Sequence, residues 1–192
     1  MEKKVVVEIS ARHVHLSQED YKKLFGADAE MVAVKNLTGG GAFVDAKRVT
    51  LVGPKGEMSK VAILGPYRPT QIELAKTDAR KLGIDAPVRL SGDIAGSGAV
   101  KIIGEVGEVD AAEGAIVAKR HVHIGESDAA AWGVKKNDVV MVKITTDDRT
   151  TIYDDVIIRT NPDDGLPPLM HIDTDEGNAA GMNGTMEAVI YE

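Results

Sequence analysis

The chain has 192 residues, enough for one ordinary domain or two small ones with real cores. Its net charge of -7 argues against general nucleic-acid binding, which needs a basic face, and the lack of cysteine excludes disulfides, thiolate metal sites and a cysteine nucleophile. No apolar run nears the roughly 18–20 residues of a membrane span, and "MEKKVVVEIS" is too polar for a secretory signal core, so the expectation is a soluble cytoplasmic protein with no membrane contact.

In chain order, "VVVEIS" (Val5 to Ser10) predicts a strand leading into "RHVH". "SQEDYKKLFG" predicts a short helix, with Ser17 as N-cap, Glu19 and Asp20 in the first turn and Gly26 at its C-terminal end. Consecutive strands follow, turning at Gly39 to Gly41 and at the "GPKG" of Gly53 to Gly56. "KTDARKLGIDAPVRLSGD" reads as a helix and a strand, and "GDIAGSGAVKIIGEVGEVDAAEGAIVAK" as glycine-punctuated strand. After a second "RHVH", "ESDAAAWGVKKNDVVMVKI" predicts a helix and strand, and "RTTIYDDVIIRT" another strand. "NPDDGLPPL" reads as a loop, the acids of "DTDEG" as turn residues, and "TMEAVIYE" as a closing strand.

The repeat extends beyond the tetrapeptide. Arg12, His13, Val14, His15, Leu16 and Asp20 align with Arg120, His121, Val122, His123, Ile124 and Asp128, and both copies run strand, RHVH, short helix, Gly. "TDARKLGIDAPVRL" and "SDAAAWGVKKNDVVMV" form a second similar pair. The expected architecture is therefore mainly β: two similar small β-barrel domains with short helical caps, related by internal duplication.

The two copies hold four of the five histidines. Residues i and i+2 of an extended chain face one side, so His13 with His15, and His121 with His123, each form a chelating pair for a divalent metal. A third ligand must come from elsewhere. His171 is the remaining histidine, and two sites of three would need one carboxylate as well, which spacing alone does not choose. Solvated or hydrogen-bonded histidine pairs are the plainer alternative, weakened by the duplication. The arginine before each pair would disfavour imidazole protonation and help neutralise an anion. A separate anion clamp is offered by Arg68, set between two prolines in "LGPYRPTQIE" with Glu73 beyond it. "LTGGGA" lacks the Lys-Ser/Thr of a phosphate-binding loop, "SGDIAGSGAV" reads as a bulged turn before an anion site, and no G-x-S-x-G elbow is present.

"SARHVHLS", "LGPYRPTQIELAKTDA", "KRHVHI" and "MHIDTDEGNAAG", in this order, resemble the PduL-type phosphotransacylases, the phosphate propanoyltransferases, over roughly residues 4 to 190. The resemblance implies two β-barrel domains, residues 1–11 with 119–192 and residues 12–118, the first strand crossing into the C-terminal barrel. It implies reversible transfer of an acetyl or propanoyl group between coenzyme A and phosphate at a dinuclear zinc site. His13, His15 and Glu73 would hold one metal, and His121, His123 and His171 the other. Arg68 would be the phosphate-handling residue, with Gln71 also at the substrate, and Ser10, Lys35, Leu64, His171 and Asn178 would contact coenzyme A. In this reading the first triad serves the coenzyme A sulfur, and phosphate attacks the thioester directly. The loop from Arg68 to Glu73 is one residue shorter than the family pattern. The resemblance also implies a homodimer; microcompartment members of the family carry an N-terminal targeting extension, and with none seen before the first strand the expectation is a free cytoplasmic enzyme. The rivals are a cupin-like metal enzyme, which would need a strand where "SQEDYKKL" reads as helix, and a non-enzymatic metal-binding module.

Overall fold

The structure is a computed structural model in which residues 2–38 and 41–191 are described; Gly39 and Gly40 of the expected glycine turn lie outside them. The chain runs β1 (Lys4–Ile9), β2 (His13–His15), α1 (Gln18–Phe25), β3 (Ala33–Asn36), β4 (Phe43–Gly53), β5 (Gly56–Gly65), β6 (Gln71–Glu73), α2 (Lys76–Leu82), β7 (Val88–Arg89), β8 (Gly98–Ile103) and β9 (Glu108–Ala118). It continues through β10 (His121–Gly125), α3 (Glu126–Trp132), β11 (Val139–Thr145), β12 (Thr150–Asn161), β13 (Leu169–Ile172), α4 (Thr174–Ala179) and β14 (Met186–Tyr191). No helix among the described residues is long and apolar enough to cross a membrane.

Two compact units form. One comprises Met1–Ser10 with Lys119–Glu192, the other Ala11–Ala118. In the first, β1-β13-β10-β12-β11-β14 close into a barrel, β14 pairing back onto β1. In the second, β4, β5, β2, β6, β9 and β8 pair in turn and β8 returns to β4, closing an equivalent ring. β3 flanks that ring on β4, and β7 flanks it on β9. Closure removes the exposed strand edges that an open sheet would present.

The rings match strand for strand. β2 lies parallel to β5 and antiparallel to β6; β10 lies parallel to β12 and antiparallel to β13. β6 has β9 as a parallel neighbour, and β13 has β1 in the same place. Thus β1 leaves one barrel to feed the HVH strand of the other, and β9 does the reverse. This is the expected duplication seen as hydrogen-bond topology. The second sequence similarity has another origin. α2 follows β6 and α3 follows β10, so the two helices are not topological counterparts. They look alike because each ends on a left-handed glycine, Gly83 (φ 76°) and Gly133 (φ 69°), followed by an apolar residue whose N–H returns to the helix.

Alternation in the strands builds each core. Val14, Ile63, Ile72 and Ala115 turn inward in one barrel, with Tyr21 and Leu24 of α1 packed on the same cluster. Val7, Val122, Ile158 and Met170 occupy the corresponding core of the other. Because Val14 and Val122 point into their barrels, the histidines on either side of each must project from the opposite face. α1 forms where expected: the Ser17 hydroxyl accepts the Asp20 N–H at 3.1 Å, and the Gly26 N–H donates to the Lys22 carbonyl. The acids of "DTDEG" are not turn residues. Asp173 caps α4, accepting from the Glu176 N–H at 2.9 Å, while Glu176 accepts the Asp173 N–H at 3.0 Å. That reciprocal box is readable as D-x-x-E in the sequence.

Candidate metal centres

The strand pairing sets both histidine triads. His13 stands opposite Glu73 across β2 and β6, and His121 stands opposite His171 across β10 and β13. Glu73 and His171 therefore hold the same register position in the two barrels. Each completes a group, His13–His15–Glu73 or His121–His123–His171, whose potential ligand atoms lie within 4.8 Å of one another. The His13 and His15 rings lie 4.9 Å apart and those of His121 and His123 4.8 Å apart, as the i, i+2 spacing requires. The His171 ring lies 5.4 Å from each of its two partners.

The donor set fits a divalent metal of zinc type. Nδ1 of His13 faces the Ala11 carbonyl at 2.9 Å, Nδ1 of His15 the Leu64 carbonyl at 3.1 Å, and Nδ1 of His121 the Lys119 carbonyl at 2.7 Å. A carbonyl can only accept, so these rings carry the proton on Nδ1 and keep the Nε2 lone pair for a ligand bond. His123 differs: its Nδ1 lies 3.1 Å from Asn161 Nδ2, an NH2 group that donates to it, and only an Asn161 amide turned over, oxygen toward the ring, would give His123 the tautomer of the others. The His13 Nε2 is 3.5 Å from a Glu73 carboxylate oxygen and the His15 Nε2 is 3.9 Å from the other.

The local field keeps His15 and His123 neutral. Burial first, then His13 and Arg68, lower His15 to about 3. Burial first, then His121 and Arg159, lower His123 to about 4. Burial works to raise the Glu73 carboxyl, but the two imidazoles, a hydrogen bond from Ser91 and the charge of Arg68 outweigh it and hold the group below its ordinary range. These cations are not the ones the tetrapeptide suggested. Arg12 pairs with Asp78 at 3.2 Å and Arg120 with Glu176 at 2.9 Å, each acid at the third position of its helix, α2 or α4. Adjacent residues of an extended chain face opposite ways, so the two arginines bind the caps rather than the imidazoles.

Arg68 sits in a loop fastened to α1. Its backbone N–H donates to the Leu16 carbonyl at 3.1 Å, and Thr70 accepts from the Ser17 N–H at 3.0 Å and donates to Asp20 at 2.6 Å. The guanidinium donates through Nη2 to Ser91 Oγ at 2.8 Å. Ser91 donates in turn to Glu73 Oε1 at 2.9 Å. Gln71, expected at the substrate, is 1% exposed; its Nε2 donates to Glu73 at 2.6 Å and to Ser91 at 2.9 Å, and its Oε1 accepts the Gly92 N–H at 2.7 Å.

Of the residues expected at coenzyme A, Lys35, Val44 and Leu64 form one cross-strand row over β3, β4 and β5. Cross-strand partners share a face, and the His15 ring is tied to the Leu64 carbonyl, so the row leads from the triad to an exposed Lys35, three strand spacings or roughly 14 Å away. In the other unit Ser10 directly follows β1, its N–H on the Ile172 carbonyl at 2.8 Å, beside the His171 strand. Asn178 is exposed on α4. Glu19, the acid a cupin would use, lies on α1 and pairs with Lys23 at 2.8 Å.

Four residues at these centres were not found from the sequence. Ser91 lay in a stretch read as a turn. Arg159 stands opposite His123 through the parallel β10–β12 pairing, and Asn161 touches the same ring. Glu8 stands opposite His171, with a carboxylate oxygen 3.9 Å from its Nε2. Strand pairing brings Arg159, Asn161 and Glu8 to the histidines, and the turn after β7 brings Ser91 to Glu73, so no local motif marks them.

A model of the phosphate propanoyltransferase family matches residues 6–183. A phosphate propanoyltransferase of Thermotoga maritima is 46% identical over 180 residues, covering 93% of this chain and 85% of the relative. One of Shewanella putrefaciens is 48% identical over 177 residues (92% and 82%), and one of Listeria monocytogenes is 45% identical over 182 residues (94% and 84%). The chain belongs to the phosphate propanoyltransferase family and is a transferase.

Proposed function

We propose that this enzyme transfers a short acyl group, propanoyl or acetyl, reversibly between coenzyme A and inorganic phosphate, using two metal ions of zinc type. The observation that carries the proposal is the line Arg68–Ser91–Glu73, which sets a guanidinium suited to phosphate beside a triad suited to a metal. His13, His15 and Glu73 would hold one ion, and His121, His123 and His171 the other; bound there, zinc supplies Lewis acidity and stabilises thiolate and oxyanion charge.

Arg68 holds phosphate by charge-assisted hydrogen bonds and presents one oxygen to the thioester carbonyl. The phosphate dianion is already nucleophilic near neutral pH, so no protein base is needed. A P–O–C bond forms, the C–S bond breaks, and coenzyme A leaves as thiolate. The row from Leu64 to Lys35 suits the extended coenzyme A arm, with the ammonium available to one of its phosphates. Ser10, His171 and Asn178 are proposed as further contacts, and a homodimer as the assembled state, to be checked by sedimentation.

The test follows free thiol released from propanoyl-CoA and acetyl-CoA by metal-loaded protein, with and without phosphate. Release that depends on phosphate and yields acyl phosphate is the expected result. Release without phosphate would make the protein a hydrolase, and no release would leave a metal-binding module. The same assay ranks the acyl chains.

A further inference from the structure

We propose that Ser91, with Gln71, is a positioning residue that couples the anion-holding Arg68 to the metal-holding Glu73, so that both are set by one hydroxyl. The coupling rests on the functional reading above for its phosphate half and on geometry alone for its metal half.

The hydrogen-bond inventory of Ser91 supports this. A serine hydroxyl has one proton and two acceptor sites. Here the proton goes to Glu73 Oε1 at 2.9 Å, and the oxygen accepts from Arg68 Nη2 at 2.8 Å and from Gln71 Nε2 at 2.9 Å. All three capacities are engaged, so the hydroxyl cannot rotate without losing a partner. Gln71 is held in turn by the Gly92 N–H at 2.7 Å and donates to Glu73 at 2.6 Å. Glu73 Oε1 thus receives two donors, and its other oxygen is left toward the His13 Nε2, 3.5 Å away.

The hydroxyl also serves as a spacer. A guanidinium bonded directly to Glu73 would neutralise the carboxylate and use its own charge on it. With Ser91 between them, Arg68 is oriented through a hydroxyl, and the hydrogen bonds that Glu73 Oε1 receives come from the neutral Ser91 and Gln71. Groups that hold a metal ligand in place from behind typically change metal affinity by roughly 10–100-fold when removed.

The experiment compares Ser91→Ala and Ser91→Thr with the unaltered chain, after equal melting temperatures show that each variant is folded. Zinc affinity is measured on metal-free protein by chelator competition with Zn2+ alone. The KM for phosphate and kcat are measured on metal-loaded protein with saturating propanoyl-CoA. Coupling predicts that Ser91→Ala weakens the tighter-affected zinc site roughly 10–100-fold and raises the phosphate KM at least about tenfold, with threonine restoring both through its hydroxyl. A change in zinc affinity without a change in phosphate KM, the reverse, or no change in either overturns the coupling. So does a joint loss that threonine fails to restore. If the unaltered chain shows no phosphate-dependent thiol release, the functional reading falls. The zinc titration then still decides whether Ser91 positions Glu73, and an unchanged affinity overturns that too.

Discussion

Glu73→Gln is the sharpest perturbation of the first triad, because the side chain keeps its shape and loses its charge. Glu73 Oε1 accepts from Gln71 Nε2 at 2.6 Å and from Ser91 Oγ at 2.9 Å. In the variant, the amide oxygen must take that place, since an NH2 group there would face the two Gln71 and Ser91 donors. The NH2 then turns toward the His13 Nε2, now 3.5 Å from the outer carboxylate oxygen. An amide N–H2 has no lone pair for a metal, so two imidazoles remain where three ligands stood. Second-sphere losses alone weaken metal binding by up to about 100-fold, and losing a ligand should exceed that, or about 2.8 kcal/mol. The folded metal-free chain should shift by less, within about 1 kcal/mol, because the two inward hydrogen bonds survive. Metal content per chain after dialysis, by mass spectrometry, should fall to the share held by His121, His123 and His171, while the metal-free melting temperature barely moves. Phosphate-dependent thiol release should fall with it. A Glu73→Gln protein that keeps its full metal content and activity would refute the assignment of Glu73 as third ligand.

Three further outcomes are expected. Arg68→Ala should lose about 2.7–4 kcal/mol of transition-state stabilisation, read as kcat/KM for phosphate, and unchanged turnover at every phosphate concentration would remove the arginine from the site. Metal-free protein should lose stability as pH falls. The unfolded chain takes up protons near 6.5, whereas His15 and His123 resist until about 3 and about 4, so denaturant midpoints should be flat above pH 7 and drop between about 6.5 and 4. A midpoint rising over that window would contradict the buried neutral imidazoles. Asp173→Ala should cost about 1 kcal/mol, seen as a lower melting temperature, because it removes the cap of α4 and frees the Glu176 that pairs with Arg120; an unchanged melting temperature would count against the capping box.

Much of this protein was legible in local pattern. Each HVH segment presents both imidazoles on one side because side chains of an extended strand alternate, and that holds in any fold. Ser17, the acidic first turn of Glu19 and Asp20, and Gly26 marked α1 for similar reasons, since caps act within a few residues. The repeated tetrapeptide announced the duplication, and the resemblance carried by four motifs led to the family. The D-x-x-E box before α4 was equally local and was simply read as a turn.

What the tertiary structure alone decided is which distant residues meet the imidazoles. The register of β2 on β6 and of β10 on β13 puts Glu73 and His171 at equivalent positions, so one duplicated scaffold carries two triads that differ by a charge. The turn after β7 brings Ser91 between Arg68 and Glu73, and the parallel β10–β12 pair brings Arg159 to His123. The tertiary structure also supplies the partners of Arg12 and Arg120, which are Asp78 and Glu176. The physical reason is the range of the forces. Strand alternation and helix caps act between near neighbours in the chain. The composition of each triad depends on backbone hydrogen bonds between strands that are tens of residues apart, and one shift of register would exchange every partner.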